Sequence, residues 1–246
     1  MSFCSKNTSL DKGTISLNKT IIPADQNLQK FLQGVIWDMD GVLIDSMEFY
    51  FKIWEQFFSE YGVNFTRKDF NRHFGTTNLE TIQSVLGNKL SFKESFELAE
   101  KKQHLFEQQA ITEAQLIPGA VQWLQFFFDR GIPQSIASSN TQRFIEAVVK
   151  HLNIDGFFHA LVSAEGLASK PDPTVFLESA HRINAQPSRS LVFEDAIAGV
   201  EGAKKAGMKC IAITTTNSPS SLVKADLIIP NFSVLTEIQI LKLMAF

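Results

Sequence analysis

In the run VIWDMDGVLIDS, residues 35 to 46, an apolar segment ends in two carboxylates one residue apart, Asp38 and Asp40, with Gly41 directly after them. A charge buried without a partner is strongly unfavourable, so such a pair at a strand end asks for a compensating group. At i and i+2 on a strand the two side chains share a face, and Gly41 permits the sharp backbone departure that lets both project from the edge. Three further places carry residues of comparable use. Ser138-Ser139-Asn140 closes the apolar run IPQSIAS, Lys170 lies in AEGLASKPDP, and Glu194-Asp195 closes SLVFED. The carboxylates among these, gathered into one small volume against a single lysine, would be unstable without a divalent cation, and an all-oxygen donor set favours Mg²⁺. In such a site one carboxylate can attack phosphorus while its neighbour handles a proton. Ser138 can donate a hydrogen bond to a phosphoryl oxygen, and Lys170 can stabilise the charge of the transition state.

Periodicity names the elements that must bring these residues together. Gly34 to Met39 reads as a short buried strand. From Ser46 to about Gln115 the pattern is helical, with Trp54, Phe57, Phe58 and Tyr61 on one face and Gly62 ending that helix. After Ile117-Pro118-Gly119 strands and helices alternate: IPQSIAS, HALVS, SLVFED, MKCIAIT and ADLIIP are apolar strands separated by amphipathic helices. That alternation implies a parallel sheet covered on both faces. The expected architecture is a doubly wound α/β core, residues 34–45 and 116–246, opened after its first strand by an α-helical cap over 46–115. Residues 1–33, rich in Ser, Thr, Asn and Lys, are expected as a flexible tail. In doubly wound sheets ligands bind at the carboxyl ends of the strands, where the four polar stretches fall.

The chain of 246 residues is 44% hydrophobic with a net charge of −3, ordinary for a soluble protein and contrary to a nucleic-acid binder, which would show a basic face. Two cysteines, Cys4 and Cys210, support neither a disulfide framework nor a zinc site, and no apolar run is long enough for a membrane span. No secretory signal is legible, so the expectation is a cytoplasmic protein, a monomer with a dimer as the alternative, whose partner is a small phosphorylated metabolite. The 22 Phe against 2 Tyr read as packing residues. The five histidines lack ligand spacing and read as surface or packing groups. Asn140 reads as the N-cap of the helix TQRFIEAVV, Asp45 as a loop-stabilising acceptor, and Cys210 as a buried small hydrophobe.

Asp38-Met39-Asp40-Gly41-Val42, Ser138 after an apolar strand, Ser169-Lys170-Pro171 and Glu194-Asp195 follow the order and spacing of the haloacid dehalogenase superfamily. Over about residues 34 to 230 the chain resembles its branch of phosphatases and β-phosphoglucomutase-like enzymes with a helical cap. The resemblance implies that Asp38 forms an aspartyl-phosphate. Asp40 would be the acid/base, its backbone carbonyl also binding Mg²⁺. Ser138, with the Ser139 backbone, would hold phosphoryl oxygens, and Lys170 would bridge nucleophile and phosphate. Asp195, with Glu194 beside it, would complete the metal site. Asp172 looks like the N-cap of the next helix, with Pro173 at its first position.

Within that branch the cap sets the substrate, and three positions are informative. Tyr50 stands where the mutase has a histidine, Asn78 where it has an arginine on the distal phosphate, and Lys102 where it has a cap lysine. All three are expected to face the substrate. Loss of an arginine fork at the distal phosphate costs about 2–5 kcal/mol of binding, which favours a phosphomonoester hydrolase over a mutase. A phosphosugar-binding pseudoenzyme is the reading from another class. Leu43–Ser46 and Gln115–Gly119 are the expected hinges of a closing cap.

Overall fold

The computed structural model describes residues 28–73, 77–87 and 90–245. Six parallel strands form one sheet: β1 (Gly34–Trp37), β2 (Gln134–Ser138), β3 (Ala160–Ser163), β4 (Ser190–Glu194), β5 (Lys209–Ile213) and β6 (Leu227–Ile229), in the order β3-β2-β1-β4-β5-β6. β1 lies between β2 and β4, pairing Val35 with Gln134 on one side and Leu191 on the other. The winding direction therefore reverses at β1, the place where a doubly wound sheet opens a crevice.

Alternation along the strands explains the two layers. Val35, Trp37, Leu191, Phe193, Ile211 and Ile213 face one core, and Ile36, Val192, Cys210 and Ala212 face the other. The first core is covered by α6 (Ala120–Asp129), α7 (Gln142–His151) and α10 (Glu237–Ala245), the second by α8 (Thr174–Arg182) and α9 (Ile197–Lys205). Phenylalanines fill the first layer: Trp37 stacks on Phe193 with ring centroids 4.3 Å apart, and Phe127 and Phe232 close around the pair. Stacking of this kind adds roughly 0.5–1.5 kcal/mol per pair beyond area burial. Among the described residues no helix is long and apolar enough to cross a membrane.

The segment between β1 and α6 is the cap, with α2 (Met47–Ser59), α3 (Arg67–His73), α4 (Asn78–Leu86) and α5 (Phe92–Glu113). It has its own core of Trp54, Phe57, Phe58, Phe65, Phe70 and Ile82. Its two links to the sheet run side by side: the Asp45 amide donates to Gln115 O and the Ile117 amide to Leu43 O, each at 2.9 Å, around an antiparallel bridge between Ile44 and Leu116. Both expected hinge segments thus form one strap. Asp45 is exposed, and it is its backbone amide that ties the loop.

Three expectations shift. Helix α1 (Leu28–Phe31) lies inside the stretch read as tail, and Leu28 and Leu32 are buried in the main core; residues 1–27, with Cys4, lie outside the described residues. Helix α10 was not foreseen; it buries Ile240 and Met244, and Glu237 pairs with Arg130 at the end of α6. Helix α8 begins one residue later than expected: Pro173 is the flanking residue, and Asp172 Oδ1 accepts from the Thr174 amide at 2.9 Å.

Candidate active site

β1 runs straight into the site. The Asp38 amide still pairs with Phe193 O at 2.9 Å, which fixes the residue at the sheet's edge, and the chain then turns through Gly41 at φ +75°. A side chain at Gly41 is excluded by space as well as by φ, because its Cβ would lie 2.0 Å from Asp195 Oδ2. Gly199 has the same relation to Glu194, with 1.7 Å left to Oε1. The two glycines give the acidic pair at the end of β4 its room.

Lys170 arrives from the loop after β3 and joins two strands' carboxylates. Its Nζ donates to Asp38 Oδ1 at 2.5 Å, to Glu194 Oε1 at 2.7 Å and to Ala137 O at 3.2 Å. Burial alone would lower its affinity for a proton; the charges of Asp38 and Glu194 outweigh that and raise it above the ordinary lysine value. Glu194 Oε2 is taken by the amides of Asp195 and Ala196, at 2.8 and 2.9 Å. Asp195 is held from β5's far end: Thr216 donates to its carboxylate, while the Asn217 amide donates to its backbone carbonyl at 3.1 Å. Thr215 meanwhile donates to Gly41 O at 2.6 Å, tying the two strand-end loops together.

Asp38, Glu194 and Asp195 each place a carboxylate oxygen within 4.8 Å of the others. Burial pushes Asp38 well above the usual carboxylate range, with Lys170 pulling it down and Glu194 and Asp195 adding to the rise. Burial, together with the charge of Glu194, pushes Asp195 up to about 8 against Thr216 and Lys170. A buried all-oxygen triad with more negative charge than one lysine balances is a donor set that fits a hard divalent cation.

The remaining polar groups lie on the β2 side. Ser138 is buried and its Oγ accepts from the Asn140 backbone amide at 3.1 Å; Ser139 is exposed on the cleft wall. Asn140 is not the N-cap of α7. Thr141 caps that helix, accepting from the Phe144 amide, and the Asn140 side chain instead donates to Asp40 Oδ2 at 2.5 Å. Burial raises the Asp40 carboxyl, and the neighbouring Ser46 hydroxyl and the Asn140 amide draw it back.

These groups line one cavity of about 490 Å³ between sheet edge and cap, with Asp38, Asp40, Ser138, Ser139, Lys170, Glu194 and Asp195 on the core side and Tyr50 on the cap side. Burial, then Asp40 and Asp38, hold the Tyr50 phenol well above its ordinary value, so it stays neutral and able to donate. The other two cap positions are elsewhere. Lys102 is fully buried and donates to Asn78 Oδ1 at 3.2 Å, while the Asn78 amide donates to Gln103. They contact each other, and Lys102 also turns onto the aromatic faces of Trp54, Phe106 and Tyr50, 4.4, 5.1 and 5.2 Å from the ring centres. Gly75, the glycine that precedes Asn78, lies outside the described residues.

With this geometry the comparisons are specific. The model of the family described as haloacid dehalogenase-like hydrolase matches residues 35–213. The chain belongs to that family. It is an enzyme of the superfamily's phosphatase group. A phosphorylated carbohydrates phosphatase of Thermotoga maritima is 30% identical over 79% of this chain and 91% of its own length. A β-phosphoglucomutase of Bacillus subtilis is likewise 30% identical, over 83% of this chain and 92% of its own. Among solved structures, a family IA hydrolase of this superfamily from Entamoeba histolytica superposes with a TM-score of 0.77 at 22% identity, covering 87% of this chain and all of that one, which is a likeness of fold.

Sequence reasoning missed Asn140 and the Thr215–Asn217 segment. The signal for the second was present: TTTN follows an apolar strand, and ligands of this sheet class bind beyond the carboxyl ends of the strands.

Proposed function

We propose that the protein is a Mg²⁺-dependent phosphomonoester hydrolase acting on a small phosphorylated metabolite, a sugar phosphate, through an aspartyl-phosphate on Asp38. The observation that carries this reading is the Lys170 bridge, which holds Asp38 in the wall of the cleft beside Asp195 and Glu194. Asp38 is the nucleophile: a bond forms from its carboxylate to phosphorus as the bond to the substrate oxygen breaks. Lys170 and Ser138 stabilise the equatorial oxygens, and Asp40 gives a proton to the departing oxygen, then takes one from the attacking water. Asp38, Asp195 and the Asp40 backbone carbonyl, with Glu194 adjoining, would hold Mg²⁺, which when bound offsets the repulsion between nucleophile and phosphate. A cavity of about 490 Å³ suits a metabolite of sugar-phosphate size.

Hydrolysis is favoured over phosphosugar mutation by the cap. A mutase must grip a second phosphate, and the cleft lining has Tyr50 but neither Asn78 nor Lys102. The test is phosphate release from a panel of sugar phosphates with Mg²⁺, for wild type and Asp38→Asn. Turnover that falls by at least about a thousandfold in Asp38→Asn is expected. Turnover unchanged by the substitution would remove Asp38 as nucleophile, and no turnover on any substrate would favour the binding module. Glucose 6-phosphate forming faster than free phosphate, from β-glucose 1-phosphate with a trace of the bisphosphate, would assign the mutase instead.

A further inference from the structure

The two oxygens of the Asp40 carboxyl are not equivalent. Oδ2 accepts from the Asn140 side-chain amide at 2.5 Å, whereas Oδ1 is buried and has no hydrogen-bond partner in the protein, although the Ser46 hydroxyl stands beside the carboxyl. The Asn140 amide is itself held in place. Its nitrogen also lies 3.1 Å from Ser138 Oγ, its backbone N–H donates to that same oxygen at 3.1 Å, and its carbonyl accepts from the Ser163 hydroxyl at 2.6 Å. Residues from the ends of β2 and β3 thus aim one N–H at one oxygen of the acid/base. A carboxyl oxygen accepts an N–H best when it carries no proton, so the amide held on Oδ2 favours Oδ1 as the seat of a proton carried by Asp40.

We propose that Asn140 is a positioning residue for the proton transfers of the hydrolase reaction: by occupying Asp40 Oδ2 it reserves Oδ1 for the proton that moves. This rests on the hydrolase reading above. In the first half-reaction a carboxylate oxygen of Asp38 bonds to phosphorus and the bond from phosphorus to the substrate oxygen breaks. The departing oxygen keeps the electron pair and takes the proton from Oδ1. In the second, a water oxygen bonds to phosphorus, its proton passes to Oδ1, and the bond from phosphorus to Asp38 breaks with its pair returning to the carboxylate. Asp40 ends protonated, as it began.

The consequence is a dependence on leaving group that a merely structural asparagine would not produce. A sugar alkoxide leaves poorly without a proton; p-nitrophenolate leaves well without one. The kinetic constant to compare is kcat/KM, which covers only the steps through phosphoryl transfer to Asp38. Wild type, Asn140→Leu, Asn140→Asp and Asp40→Asn are assayed on p-nitrophenyl phosphate and on the best sugar phosphate of the panel, after thermal unfolding has identified which variants fold. Asp40→Asn sets the full size of the selective loss. Asn140→Leu, which keeps the volume and lacks the donor, is expected to lose at least about tenfold more kcat/KM on the sugar phosphate than on the aryl phosphate. Asn140→Asp, which replaces the donor with a repelling acceptor, is expected to do the same and serves if the leucine variant does not fold. Equal losses on the two substrates in a folded variant would overturn the proposal while leaving the hydrolase reading standing. A wild type that releases no phosphate from either substrate would overturn that reading, and this inference with it.

Discussion

Lys170 in the core and Lys102 in the cap are both buried, yet their surroundings differ in kind. Lys170 donates to two carboxylates and a backbone carbonyl, whereas Lys102 has one amide oxygen and the faces of Trp54, Phe106 and Tyr50. The same burial that desolvates both therefore has opposite results. Carboxylate charge keeps Lys170 above its ordinary value, and Lys102, with burial as its cause, falls to about 7. Ring quadrupoles and one hydrogen bond repay only part of a lost hydration shell. One lysine is a fixed cation for phosphate chemistry; the other is an amine whose charge is negotiable near neutral pH.

The sharpest way to break the comparison is to remove the compensated cation. Lys170→Met leaves Asp38, Glu194 and Asp195 facing one another without it. Removing one partner of a buried charge pair costs about 3–5 kcal/mol, and the missing transition-state charge is expected to lower kcat/KM about a thousandfold. Urea denaturation in EDTA should show the stability loss, and excess Mg²⁺ should recover part of it but not the activity. A variant as stable as wild type without metal would mean that the carboxylates, rather than Lys170, absorb the electrostatic cost.

How far these two lysines could be read in advance differs for a physical reason. Lys170 was legible because apolar strands of a parallel sheet end on one edge, so Asp38, Ser138, Lys170 and Glu194-Asp195 had to converge once the sheet was recognised. The environment of Lys102 depends on how α2, α4 and α5 pack, and periodicity gives each helix its apolar face without saying which side chains meet. The position matched to a substrate lysine is therefore one whose burial in the cap the sequence did not announce. Asn140 was misread for a related reason: directly before a helix, a polar residue can cap it or reach outward, and Thr141 took the cap. Helix α10 escaped because EIQILKLMA is apolar on most of its circumference, which blurs the amphipathic stripe.

Removing the negotiable cation should have the opposite sign and a smaller size. Lys102→Met keeps the packing volume and is expected to stabilise the protein by about 1–3 kcal/mol at pH 6. The sign follows from proton binding. Unfolded Lys102 has the ordinary value of 10.5 and folded Lys102 about 7, so between those values the unfolded chain binds more protons and wild-type stability rises with pH. Below 7 both states are charged and the full cost of burying the charge remains. The gain from Lys102→Met should thus be largest at pH 6 and fade toward pH 10, as the difference between variant and wild type in parallel urea titrations. Among the described residues that contact Lys102, namely Asn78, Tyr50, Trp54 and Phe106, Tyr50 is the one that titrates, and its raised value keeps it neutral across that range. A gain independent of pH would show that packing, and not charge, distinguishes the two side chains.

Tyr50 joins the two environments, since its ring is one face of the Lys102 cage and it also lines the cleft opposite the carboxylates. The ring stacks on Phe106 with centroids 4.2 Å apart, an interaction that Tyr50→Phe preserves. The smallest expected effect follows: stability within about 0.5 kcal/mol of wild type, typical of a change that removes no packing, and an unaltered pH slope for Lys102. The hydroxyl, a neutral donor facing the cleft, should matter only to substrate, so KM for a sugar phosphate is expected to rise about two- to fivefold with kcat nearly constant, the mark of lost uniform binding. If kcat falls and KM stays, the phenol acts in the transition state. If the pH slope changes, the hydroxyl rather than the ring helps set the charge of Lys102, and the cap and the core are electrostatically linked through this one side chain.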